Sequence, residues 1–155
     1  MAGPAVFIRK PGGFGTRLGG YGMSHKIWTC LACRAWHEKK KPPCCERCGG
    51  KSFLHYDSHG EARWFVGLMR ELDAGNIEEL EHHPRYPIHV ALVPNLACTT
   101  RVFEYVADAE YVRAGMLITA DFKPKAEAGL DPVFKLKQRC FEAAYGRKIN
   151  IVTER

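Results

Sequence analysis

Two Cys-x-x-Cys pairs, Cys30-Leu31-Ala32-Cys33 and Cys45-Glu46-Arg47-Cys48, stand eleven residues apart in this chain. Each pair makes a tight turn that presents two thiolates to one point. Gly49, directly after the second pair, helps the backbone turn around that point. Four thiolates at this spacing form the pattern of a structural zinc site of ribbon type. A segment of about thirty residues cannot build a full apolar core, so the metal is expected to supply the folding energy. Cys44 has no partner at the right spacing, which makes Cys45 the ligand and Cys44 a bystander. His37 reads as a surface histidine in a polar, Lys-rich loop. Cys98 and Cys140 stand alone, and Cys140 reads as core.

The chain has 155 residues, enough for one globular domain and a small appendage. The first 60 residues carry ten Lys or Arg against three Asp or Glu, and the remainder thirteen against fourteen. The net charge of +6 is therefore concentrated in the first part, which favours a polyanionic partner such as DNA. A solvated basic tail is the competing reading. No apolar stretch approaches the ~20 residues of a membrane span, and no compact apolar segment resembles a signal peptide. The expectation is a soluble, cytoplasmic protein without a membrane partner. Three segments follow: a Gly-rich basic tail over 1–25, expected to be flexible, a zinc ribbon over 26–56, and an α/β core over 57–155.

Within that core, Ser58-His59-Gly60-Glu61 fits a capping box at the start of a helix. Trp64, Phe65, Leu68, Met69 and Leu72 then recur at helical spacing as far as Gly75. Glu78 to Glu81 reads as an acidic connector, and His82-His83 as exposed histidines. Strands are expected over Tyr86 to Val93, Arg101 to Val112 and Met116 to Lys123. A second helix starts at Asp131-Pro132 and buries Val133, Leu136, Cys140 and Ala144, with Phe134 and Phe141 beside them. It ends at Gly146, and Ile149 to Val152 forms a last strand. The expected order is helix, three strands, helix, strand, with a mixed sheet whose closing strand is parallel to its partner.

The second and third of these strands carry the chemistry. Asp121 and Lys123 are two residues apart on a strand and share a face. If Ala114-Gly115 is a two-residue turn, Arg113 pairs with Met116 and Asp108 falls opposite Asp121, with Cβ atoms ~5 Å apart. A three-residue loop would shift that pairing by one. Two opposed carboxylates repel unless a cation lies between them, and magnesium or manganese is the usual one. Asp108 and Asp121 are the expected metal ligands, and Lys123 adds a second positive group for a water or a developing negative charge. Glu61 has two readings, catalysis and closure of the capping box. Glu110, on the face of Asp108, is a candidate ligand for a second ion. A surface strand pair with incidental charges is the bland alternative.

From Tyr56 onward the chain resembles the small phage-encoded endonucleases with a PD-(D/E)xK core. The resemblance lies in Tyr56-Asp57-Ser58 through Glu61-Ala62-Arg63, Leu80-Glu81-His82-His83-Pro84, Tyr105-Val106-Ala107-Asp108, Asp121-Phe122-Lys123, and Phe134-Lys135-Leu136-Lys137 through Phe141-Glu142-Ala143. The order and separation of Glu61, Asp108, Asp121 and Lys123 are similar to those of archaeal-type Holliday-junction resolvases. The resemblance implies a restriction-endonuclease-like fold and a catalytic set of Glu61, Asp108, Asp121 and Lys123. It also implies magnesium-dependent cleavage of DNA, branched DNA such as Holliday junctions in particular, by a homodimer in the cytoplasm of a host cell. The chain departs from the pattern at Ala107, where the name-giving proline stands, at Asp121 for a frequent glutamate, and at Pro124 for a usual glycine. The ribbon lies outside the resemblance. Its Lys39, Lys40, Lys41 and Arg47 are candidate phosphate contacts, and Trp36 a candidate base-stacking side chain, against the competing readings of a purely structural ribbon and of Trp36 packed on it. The alternatives are a non-catalytic zinc-ribbon module that binds nucleic acid, and a nuclease of nicked or linear duplex DNA.

Overall fold

The computed structural model describes residues 26–38, 40–91, 99–124 and 131–153. The expected tail over 1–25, Lys39, and Cys98 in its connector lie outside the described residues. The chain divides into two compact units whose described parts are residues 26–70 and 71–153. Among the described residues, mixed α/β structure is distributed over three sheets and two helices.

In the first unit, β1 (Ile27–Cys30), β2 (Trp36–Glu38) and β3 (Phe53–Tyr56) form an antiparallel sheet in the order β2-β1-β3. The loop expected between the cysteine pairs thus begins with a strand, β2. Helix α1 (His59–Asp73) starts where the capping box places it. Ser58 Oγ accepts from Glu61 N at 3.1 Å, while Glu61 Oε2 accepts from Asp57 N at 3.2 Å, one residue earlier than the usual partner. The start of α1 sits against this sheet. Tyr56 and Phe65 rings lie 5.7 Å apart, and His59 Nε2 is 3.4 Å from Glu38 Oε1.

The second unit begins with the last turn of α1. Asn76 N donates to Glu71 O and Gly75 N to Leu72 O, and Gly75 takes a left-handed φ of 73°, so the helix closes in a Schellman motif. The segment expected as an acidic connector is β4 (Glu78–His82). It pairs antiparallel with β7 (Ala109–Arg113), with an irregularity between Glu78 and Glu81 where Glu79 has a φ of 52°. β8 (Met116–Lys123) pairs antiparallel with β7 and parallel with β9 (Ile149–Thr153), giving a mixed sheet in the order β4-β7-β8-β9.

β5 (Arg85–Ala91) and β6 (Thr99–Val106) form a separate antiparallel pair. The single strand expected over Arg101 to Val112 is therefore broken at Ala107-Asp108, and its halves join different sheets. Ala107 N still donates to Pro84 O, whereas Asp108 N donates to Ala120 O. The backbone changes partner between these two residues. Helix α2 (Pro132–Tyr145) has Asp131 as its N-cap, accepting from Val133 N at 2.8 Å, and a left-handed Gly146 at its end. Its buried face differs from expectation. Phe141 is fully buried and Phe134 packs beside it, while Val133 and Leu136 are exposed. Tyr86, Ile88, Tyr105, Ala107, Phe141 and Ile149 make the core around that helix.

Candidate metal centre and carboxylate cleft

Cys30, Cys33, Cys45 and Cys48 come together, with their sulfurs all within 4.8 Å of one another. The two knuckles are built alike. Arg34 N donates to Cys30 O at 2.8 Å and Gly49 N to Cys45 O at 2.7 Å, and both Arg34 and Gly49 are left-handed. Arg34 shows that this turn does not demand glycine, although glycine takes it without a Cβ penalty. A tetrahedron with ~2.3 Å zinc–sulfur arms has edges of ~3.8 Å. Cys30 and Cys48 sulfurs are 3.6 Å apart and those of Cys33 and Cys45 3.5 Å, so the set can hold a structural metal such as zinc. Cys44 is exposed, and Cys45, fully buried, occupies the cluster.

Two further residues shape this centre without a sequence signal for it. A Cβ at Gly50 would meet Cys30 Sγ at 3.1 Å and Cys48 Sγ at 3.3 Å, so only glycine fits there without displacing sulfur. His37 is not a surface loop residue: it lies on β2, half-buried, with Nε2 3.4 Å from Cys45 Sγ. Burial pushes the Cys45 thiol up. Hydrogen bonds from His37, the backbone of Cys48 and Arg47, and Cys33 outweigh it and bring it down to about 6. The Gly50 backbone draws Cys48 down, but the neighbouring thiols Cys33 and Cys30 drive it up to about 12. Four crowded sulfurs cannot all carry charge without a cation among them.

In the second unit the hairpin has the expected register. Ala114 and Gly115 form the two-residue turn with φ values of 50° and 75°, and Arg113 pairs with Met116. The ladder runs to Ala109 and Ala120, so Asp108 is the next residue on one side and Asp121 on the other. Asp108 Oδ2 accepts from Phe122 N at 2.6 Å. Asp121, only 3 % exposed, accepts at Oδ2 from the Tyr105 hydroxyl and is ion-paired at Oδ1 with Lys123 Nζ. Lys123 Nζ also lies 4.4 Å over the Phe134 ring. Thus Asp121 does not confront Asp108 as a bare charge. A phenol and an ammonium hold it, and the ammonium places a positive charge beside the carboxylate.

Asp108, Asp121 and Lys123 line a cleft of about 290 Å³, together with Tyr105, Asp131 and Lys137. Burial, then the Asp121 charge and its hydrogen bond, push the Tyr105 phenol well above its ordinary range, so it stays a donor. Magnesium is commonly held by one or two carboxylates with water and substrate oxygens completing its shell, which this donor set fits.

Glu110 is placed otherwise than the second-ion reading expects. Its Oε2 accepts from the Tyr86 hydroxyl, from Thr119 Oγ1 at 3.0 Å and from Arg147 at 2.8 Å. The Arg147 guanidinium balances its charge. His82 and His83 are half-buried with rings stacked 3.7 Å apart, because His83 is left-handed and breaks the alternation that separates neighbours.

Glu61 belongs to the first unit, is 8 % exposed, and performs the capping described above. Of the candidate phosphate contacts, Lys40, Lys41 and Arg47 are exposed, with Lys41 Nζ 5.7 Å over the Trp28 ring. Trp36 is 41 % exposed, its ring 5.9 Å from that of His59. No helix among the described residues is long and apolar enough to cross a membrane. Comparison of the chain with family models, with curated proteins and with solved structures gives no match.

Proposed function

We propose that the chain is a metal-dependent DNA endonuclease with a PD-(D/E)xK-type, restriction-endonuclease-like core and a structural zinc ribbon. The observation that carries this reading is the hairpin register, which brings Asp108 and Asp121 to one cleft with Lys123 beside them. Magnesium or manganese bound there would supply an activated water and neutralise phosphoryl oxygens. Asp108 and Asp121 would hold it. Lys123, released from Asp121, would face the phosphate and stabilise charge that develops on it. The exposed Lys40, Lys41 and Arg47, with Lys39, would contact the DNA backbone. Branched DNA is the proposed substrate, and a homodimer the form that resolves it; both rest on the resemblance. So does the catalytic part of Glu61, beside its capping role.

A second reading has its own observation. Both oxygens of Asp121 already have protein partners, as they would in a scaffold that binds nucleic acid without cutting it. Purified protein incubated with magnesium and four-way junction, flap, nicked and linear duplex DNAs separates the two. Cleavage abolished by Asp108→Asn, Asp121→Asn and Lys123→Ala is expected. Binding of these DNAs without cleavage of any of them favours the second reading. Glu61→Gln, which can keep the cap, assigns Glu61 to catalysis if activity is lost at an unchanged melting temperature.

A further inference from the structure

Tyr86 and Tyr105 face each other across β5 and β6, and each donates its hydroxyl to an acid on the neighbouring sheet, Tyr86 to Glu110 and Tyr105 to Asp121. The two bonds look alike, but the acids differ. Glu110 is also held by Thr119 and Arg147, whereas Asp121 lines the cleft beside Lys123. The Tyr105 ring is fixed by Phe141 at 5.3 Å and by Tyr86 at 6.4 Å, so its hydroxyl is aimed rather than mobile.

Building on the metal site proposed above, we propose that Tyr105 is a positioning residue that commits Oδ2 of Asp121 to the phenol and leaves Oδ1, once Lys123 is released from it, as its single metal-binding oxygen. Without the hydroxyl, the carboxylate is free to turn and take the Lys123 ammonium on both oxygens, which opposes entry of a divalent ion. Hydrogen bonds that orient ligating groups typically change metal affinity by about 10–100-fold.

The test is manganese binding, followed by calorimetry on the full chain with zinc present. Tyr105→Phe keeps the ring and its packing, and is expected to weaken manganese binding by about tenfold or more. Tyr86→Phe, which loses the parallel bond to Glu110, should bind as the unaltered protein does. Equal affinity in Tyr105→Phe and the unaltered protein overturns the inference, as does an equal loss in both tyrosine variants. Asp121→Asn separates this from the underlying reading. If Asp121→Asn keeps full affinity, the carboxylate site itself is wrong. If it loses affinity while Tyr105→Phe does not, only the role of Tyr105 falls. Should Tyr105→Phe fail to fold, the unaltered protein still answers through tyrosine difference absorbance on magnesium titration: a change supports the inference and none overturns it.

Discussion

At the scale of single residues, the two adjacent glycines after Cys48 do different work. Gly49 carries a left-handed backbone with open space around its Cα, so Gly49→Ala should cost about 1 kcal/mol of backbone strain and leave the metal in place. Gly50 has ordinary backbone but two sulfurs against it. Gly50→Ala should lower zinc content after dialysis against a weak chelator, which elemental analysis reads directly. Retention of zinc equal to Gly49→Ala would refute the packing argument. Asp121 invites a revision of sign. Opposed like charges predict that neutralising one is harmless or slightly stabilising. The observed Tyr105 and Lys123 partners predict the reverse. Asp121→Asn should destabilise by roughly 1–3 kcal/mol in urea melts, less than a fully buried pair costs because Lys123 keeps some contact with water.

Among the elements, the hairpin was readable because turn chemistry and alternation act within a few residues. The break in the strand before it was not. Tyr105, Ala107, Ala109 and Tyr111 are all buried, so period two runs straight through the point where the backbone changes sheets. β4 was hidden because Glu78, Glu79 and Glu81 are poor strand formers, and its pairing with β7 comes from residues distant in sequence. Helix α2 offers two apolar stripes, one through Val133, Leu136 and Cys140 and one through Phe134, Phe141 and Tyr145. Sequence spacing alone does not choose between them; contact with Tyr86 and Tyr105 does. Phe141→Ala should therefore cost about 3–5 kcal/mol, while Leu136→Ala should stay within about 0.5 kcal/mol of the unaltered protein. Denaturant melts of the two variants check the assignment, and a reversed order would restore the first stripe. The four-thiol centre was readable in full as a ligand set, yet His37 and Gly50 were not, since neither occupies a spacing that metal ligation dictates.

For the molecule as a whole, stability is expected to be unevenly dependent on metal. The first unit gathers four sulfurs, whereas the second has a core of its own around Phe141. Stripping zinc with a strong chelator should unfold the first unit while the second keeps its far-UV signal, so heating the stripped protein should give a single transition from the second unit. Simultaneous loss of all structure on chelation would show that the units fold as one. The chain also labels its own halves: Trp28, Trp36 and Trp64 all lie in the first unit and none in the second, which holds the buried Tyr86, Tyr105 and Tyr111 against Tyr56 alone among the buried tyrosines described in the first. Red-shifted indole emission therefore reports on one unit alone, and near-ultraviolet phenol bands principally on the other, so the sequence in which the halves come apart is visible in the optical spectra of the unlabelled protein.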